Sequence, residues 1–183
     1  MSTLLERLVS TLMMALVTWT QFRMGPQNNA VVPGQLHTAW RVETNGQISA
    51  SPTVADGMLY VGNNNGLLYA LDVGRGTILW KAKVPNPLMS APLVYNDLVI
   101  VGEGDPTSRT SSPSEPVSVG QGPSALIGFD RATGELRWQT MLKGSAMPTP
   151  AIINGILVHH DGAGYITALN PVTGEQRYSH SIG

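Results

Sequence analysis

The stretch Ala70–Trp80, ALDVGRGTILW, decides how this chain is read. It returns as GFDRATGELRW at Gly128–Trp138 and as ALNPVTGEQRY at Ala168–Tyr178. Each copy runs small residue, apolar residue, Asp or Asn, a turn ending in Gly, and an aromatic four positions after that Gly.

The recurrence extends outward from these copies. Pro52, Pro92 and Pro150 open equivalent segments, SPTVADGMLYVG, APLVYNDLVIVG and TPAIINGILVHH. Trp40, Trp80, Trp138 and Tyr178 close units spaced by 40, 58 and 40 residues, so the middle unit carries an insertion of 18. A fixed period of this size signals a propeller, solenoid or array. Within the first full unit, β-rich residues between turn signals predict strands near Ser51–Ala55, Met58–Gly62, Leu67–Asp72 and Ile78–Val84. Asp56-Gly57, Asn96-Asp97 and Asn154-Gly155 are two-residue hairpin turns, whose residue types tolerate positive φ. The Thr-Gly pairs at Thr133-Gly134 and Thr173-Gly174 make the next reversal. Four antiparallel strands per repeated unit describe a propeller blade.

With these residues in view, the chain resembles the pyrroloquinoline-quinone-like (PQQ-like) β-propeller repeat family. The pattern A-x-D-x-x-T-G-x-x-x-W at Ala70–Trp80 and Gly128–Trp138 carries the resemblance, with a weaker copy at Ala168–Tyr178. The WD-repeat family fits worse, because no Gly-His/Trp-Asp pair recurs. The expected fold is all-β: a partial propeller of about three four-stranded antiparallel blades, one extra outer strand and an N-terminal extension. Trp40, Trp80, Trp138 and Tyr178 are expected to dock neighbouring blades, each ring burying apolar area that one thin sheet cannot bury alone.

The expected organisation is blade 1 over 48–87, blade 2 over 88–145 with an inserted loop at 103–122, and blade 3 over 146–183. Residues 19–47 are expected to form a strap, anchored by Trp19 and Phe22, and a lone outer strand at Leu36–Val42. Residues 1–18 read either as a degenerate export signal or as a helical or disordered start: the apolar centre fits a signal, while Glu6 and a poor cleavage site do not. The insertion, rich in Ser, Pro and Gly, is expected to be disordered or a loose flap. Three blades are fewer than the four to eight of complete propellers. The chain is therefore expected to be a fragment, a truncated product, or a protomer that joins a protein partner or its own copies through open blade faces.

Composition narrows the function classes. The 183 residues are 42% hydrophobic and 13% charged, with formal net charge −1. This balance gives no electrostatic reason to expect nucleic acid, and no apolar run reaches membrane-spanning length. Cysteine is absent, which excludes disulfides, thiolate metal sites and a thiol nucleophile from these residues. Quinone-dependent alcohol dehydrogenases, which the repeat resembles, carry an adjacent cysteine pair over the quinone, so PQQ is only a secondary expectation as cofactor. The assembly lipoprotein with the same repeat needs a lipidated cysteine, also missing here.

Antiparallel alternation puts the second-to-third-strand loops and the blade connectors on one face. That face collects Asn63–Asn65, Glu103–Arg109, Asn86, Met147 and His159–Gly162. Catalytic candidates there are Glu103 and Asp105, spaced to share a side as an acid/base pair, and His160, which replaces the Gly of the other units beside His159 and Asp161. The bland alternatives are exposed loop carboxylates and two histidines on opposite strand faces. No metal site is expected. Two functions remain open. One is an exported, periplasmic or secreted propeller segment serving as a protein-binding or assembly scaffold. The other is part of a propeller enzyme with its site on the loop face. That enzyme would be a quinone-dependent dehydrogenase or a tetrathionate hydrolase-like one, the latter resembled through the Gly-rich interruption and the MPTP at Met147–Pro150.

Overall fold

The computed structural model describes residues 38–104 and 124–182. The N-terminal start, the Trp19 and Phe22 strap, most of the insertion and Asp105 lie outside the described residues.

The described residues form three four-stranded antiparallel sheets and no helix. Blade 1 holds β1 (Thr53–Ala55), β2 (Met58–Gly62), β3 (Leu67–Asp72) and β4 (Ile78–Lys83). Blade 2 holds β5 (Leu93–Tyr95), β6 (Leu98–Gly102), β7 (Ser124–Asp130) and β8 (Leu136–Leu142). Blade 3 holds β9 (Ala151–Ile153), β10 (Ile156–His160), β11 (Tyr165–Leu169) and β12 (Gln176–Ser181). Each sheet is a meander in chain order. Asp56, Asn96 and Asn154 take φ of 47°, 51° and 50°, so the first hairpin of every blade turns on a residue that tolerates the left-handed region.

The motif at Ala70–Trp80 now has a physical reading. Its small residue pairs across the sheet with the closing aromatic: Ala70 with Trp80, Gly128 with Trp138, Ala168 with Tyr178. A bulge follows each pair. The Asp or Asn caps the turn, as when Asp130 Oδ1 accepts the Ala132 and Thr133 N–H groups at 2.9 Å. The turn glycine receives the ring of the preceding unit. A Cβ on Gly76, Gly134 or Gly174 would stand 2.5, 2.6 or 2.5 Å from Trp40, Trp80 or Trp138. The same glycines have φ of 68°, 75° and 70°, which only Gly adopts freely. Trp80 and Trp138 thus each lie between a small residue of their own blade and a glycine of the next.

Two apolar clusters fill the spaces between blades. One joins Tyr60, Leu68 and Trp80 of blade 1 to Val99, Val101, Ala125 and Ile127 of blade 2. The other joins Ile100, Leu126 and Trp138 of blade 2 to Leu157 and Leu169 of blade 3. The expected outer strand behaves differently: residues 38–42 pair with no strand among the described residues. A fourth strand needs the other three of its blade. Trp40 still occupies its docking place, donating Nε1–H to the Val73 carbonyl at 2.7 Å. Tyr178 is 54% exposed, because no described sheet follows blade 3.

Candidate functional site at the connector face

The second strand of each blade ends one residue before a buried polar side chain: Asn63, Glu103 and Asp161. These three positions are equivalent in the repeat. Each backbone N–H bonds the third strand of its blade, to Leu67, Ala125 and Tyr165. Each side chain reaches the connector that enters its own blade. Asn63 Nδ2 donates to the Thr44 carbonyl. Glu103 Oε1 and Oε2 accept from Asn86 N and Nδ2, both at 3.3 Å. Asp161 Oδ2 accepts from Gly144 N at 3.1 Å. Asn86 and Gly144 hold equivalent connector positions, so the same backbone N–H is taken by an acid in blades 2 and 3.

The residual oxygen does a second task in blades 1 and 3. Asn63 Oδ1 accepts the N–H groups of Asn65 and Leu67 at 3.0 and 2.9 Å. Asp161 Oδ1 accepts those of Ala163 and Tyr165, both at 3.0 Å. This is an Asx turn that supports the short loop. In blade 2 the insertion lies next in the chain, and Glu103 turns both oxygens to the connector.

Of the sequence candidates, Glu103 is therefore 2% exposed and engaged, rather than a free loop carboxylate. Burial raises its pKa, against the lowering effects of the Asn86 hydrogen bonds and Lys83. Asp105 lies outside the described residues, so its relation to Glu103 is not part of the geometry. His160 ends β10 on the exposed face, while its neighbour His159 is 3% exposed. Their rings lie 6.0 Å apart, centroid to centroid, at 19°. Both ring nitrogens of His159 are buried without a hydrogen-bond partner. Burial, then the charge of His160, lowers its pKa to about 4, while Asp161 pulls the other way. Among the described residues no group of three or more His, Asp or Glu could hold a metal ion.

Two residues had no pattern to announce them. Asn63 reads as part of an Asn-rich turn, and only aligning the units on the end of the second strand brings it together with Glu103 and Asp161. Arg131 sits in the β7–β8 turn and fastens blade 2 to blade 1. Its Nε donates to Tyr60 Oη at 3.1 Å, and Nη2 to the Ala55 carbonyl at 3.2 Å and to Asp56 Oδ2. An isolated turn arginine gives no periodic signal.

Comparison with known proteins agrees with this architecture. Residues 30–182 match a family model described as outer membrane protein assembly factor BamB. The chain is 30% identical over 144 residues to a tetrathionate hydrolase of Acidithiobacillus ferrooxidans, covering 72% of the chain and 28% of that protein. It is 30% identical over 159 residues to the outer membrane protein assembly factor BamB of Alkalilimnicola ehrlichii, covering 69% of the chain and 42% of that protein. The chain thus spans less than half the length of either relative. The crystal structure of quinohemoprotein alcohol dehydrogenase from Comamonas testosteroni superposes with a TM-score of 0.65 at 18% identity, covering 91% of the chain and 27% of that structure. At that identity the likeness concerns the fold.

Proposed function

Since the chain belongs to the PQQ-like repeat β-propeller family, whose assembly-factor model covers residues 30–182, we propose that it is a propeller segment acting as a protein-binding scaffold in outer membrane protein assembly, in the periplasm. The observation that carries this reading is the engagement of the connector face. Asn63, Glu103 and Asp161 each tie down the connector of their own blade. Catalysis by acid and base needs groups that can reach a substrate proton. These carboxylates instead face N–H groups, and what they produce is a rigid surface of loops on a sheet scaffold, suited to recognition. No helix among the described residues is long and apolar enough to cross a membrane.

A second reading is supported by the 30% identity to the tetrathionate hydrolase. In that reading Glu103, Asp105 and His160 are the residues to test. The quinone of the alcohol dehydrogenases fits the described residues poorly: Glu103 and Asp161 turn their oxygens to N–H groups, and the sequence holds no cysteine to lie over a quinone.

The test places a photo-crosslinking residue at exposed Asn65 on the connector face and at exposed Thr173 on the turn face, in cells. The scaffold reading expects adducts with an outer-membrane-assembly component from position 65 and none from 173. Tetrathionate turnover by the protein, lost in Glu103→Ala and without any such adduct, would replace it with the enzyme reading.

A further inference from the structure

The interface between blades 2 and 3 departs from the repeat at three same-face positions near the connector end. In blade 2, Val101, Ala125 and Ile127 face blade 1 within one apolar cluster. Their equivalents in blade 3 are His159, Tyr165 and Thr167. His159 and Thr167 are direct cross-strand partners, so their side chains share a face. Where the first interface is filled with hydrocarbon, the second opens a cleft of about 260 Å³, lined by Leu142, Lys143, Asp161, Tyr165, Thr167 and Ser179 among others.

The chemistry of that cleft is rich in donors. Lys143 brings an ammonium, poised 4.3 Å from the Tyr165 ring centroid. Thr167 and Ser179 bring hydroxyls, bonded to each other at 3.0 Å. The one carboxylate, Asp161, already accepts three backbone N–H groups. Next to the cleft rather than in its lining, His159 is a buried imidazole with neither nitrogen satisfied, paired across the strands with Thr167. A buried polar side chain without a partner is costly. Blades 1 and 2 avoid that cost with Val61 and Val101 at the same place. Blade 3 instead places the imidazole across the strand pair from Thr167, a residue that lines the cleft.

We propose that this cleft binds a small oxyanion, held by Lys143, Thr167 and Ser179. Donors outnumber free acceptors, which selects a ligand carrying acceptor oxygens and negative charge. Sulfur oxyanions, phosphate and carboxylates share that chemistry, and the space admits any of them.

The test uses the full 183-residue chain with thiosulfate, tetrathionate, inorganic phosphate and acetate, each against chloride at matched ionic strength. Side-chain nitrogen NMR reads His159 directly, and isothermal titration reads affinity. Saturable binding of at least one anion is expected, with a shifted resonance of His159, the neighbour of Thr167, and a loss of about tenfold or more in Lys143→Gln and Thr167→Val. The anion that saturates identifies the class. Lys143→Gln keeps the protein folded if Thr167→Val perturbs it, so the affinity loss has two independent readings. Absence of saturable binding, or binding that neither substitution weakens and that leaves the His159 resonance unmoved, overturns the proposal. It stands apart from the scaffold reading, which is scored by adducts at position 65.

Discussion

Between blades 1 and 2, Trp80 donates its indole N–H to the Arg131 carbonyl at 3.0 Å. Between blades 2 and 3, the equivalent Trp138 N–H is buried with no acceptor. Arg131 spans the first gap to Tyr60, Ala55 and Asp56. Its equivalent across the second gap is Pro171, which has no side-chain donor, and there a cleft of about 500 Å³ runs past Asn96, Arg137 and Thr173. Val101 in the first interface is His159 in the second. Both interfaces use the same ring-on-glycine contact. Each also has an apolar cluster, but they differ in the polar groups around it, which teaches that the motif sets the spacing of blades while the residues around it decide whether a seam is sealed or left open.

The largest test of that contrast is removal of the rings. Trp80→Ala is expected to lower unfolding free energy by about 3–5 kcal/mol, the usual loss for a large core aromatic. Trp138→Ala should lose about 1 kcal/mol less, because no indole hydrogen bond disappears with it. Urea denaturation of both variants checks this, and equal losses would erase the distinction between the seams.

Next comes the histidine. Its pKa in the fold is about 4, against an ordinary 6.5. The unfolded chain therefore takes up a proton between those values that the folded chain refuses. Stability from this group is intact above pH 6.5 and declines as pH falls towards 4, by roughly 3 kcal/mol over the whole window. His159→Val should flatten that acid limb and raise stability near pH 7 by about 1 kcal/mol. The reverse exchange, Val101→His, should lower stability by about 2–3 kcal/mol, since it places the same unpartnered group in the sealed seam. An acid limb unchanged by His159→Val would show that the imidazole titrates freely.

The arginine clasp ranks third. Arg131→Ala should lower stability by about 1–2 kcal/mol, through lost hydrogen bonds to Tyr60 and Ala55. Asp56→Asn keeps a residue that tolerates positive φ and removes only the charge. Asp56 is 70% exposed on its side chain, so that variant should change stability by about 0.5 kcal/mol or less. A larger effect from Asp56 than from Arg131 would mean the surface ion pair, and not the two inner bonds, closes the seam.

The parts legible in the sequence are those repeated with one residue type. Gly76, Gly134 and Gly174 recur because only Gly meets both the positive φ and the ring above it. Ala70, Gly128 and Ala168 recur because the aromatic covers them. The family assignment and the three sheets followed from these. The connector ties were hidden because one task is done by three residue types, Asn, Glu and Asp, and each meets a backbone group, with the Asn86 side chain added only for Glu103. Glu103 was visible as an acid, but its burial was not: its partner Asn86 lies 17 positions earlier in a connector without pattern. His159 stood out beside His160, the two read as lying on opposite strand faces. Strand alternation sends it inward, and only packing reveals that nothing inside completes it.

Tyr178 gives the smallest expected effect and the sharpest use of the comparison. It is the fourth aromatic plate, paired with Ala168 as Trp80 is with Ala70. With no described sheet beyond it, its ring is 54% exposed. An exposed aromatic contributes little, so Tyr178→Ala should lower the stability of the isolated chain by about 0.5 kcal/mol or less at micromolar concentration. Trp138→Ala, the same position one blade earlier, should lower it severalfold more. If the two losses match, the Tyr178 ring is covered in solution. Burial by a partner copy adds stability by mass action, so the loss would then grow with protein concentration, whereas burial by the chain's own residues would leave it constant. Denaturation at two concentrations a hundredfold apart separates these outcomes.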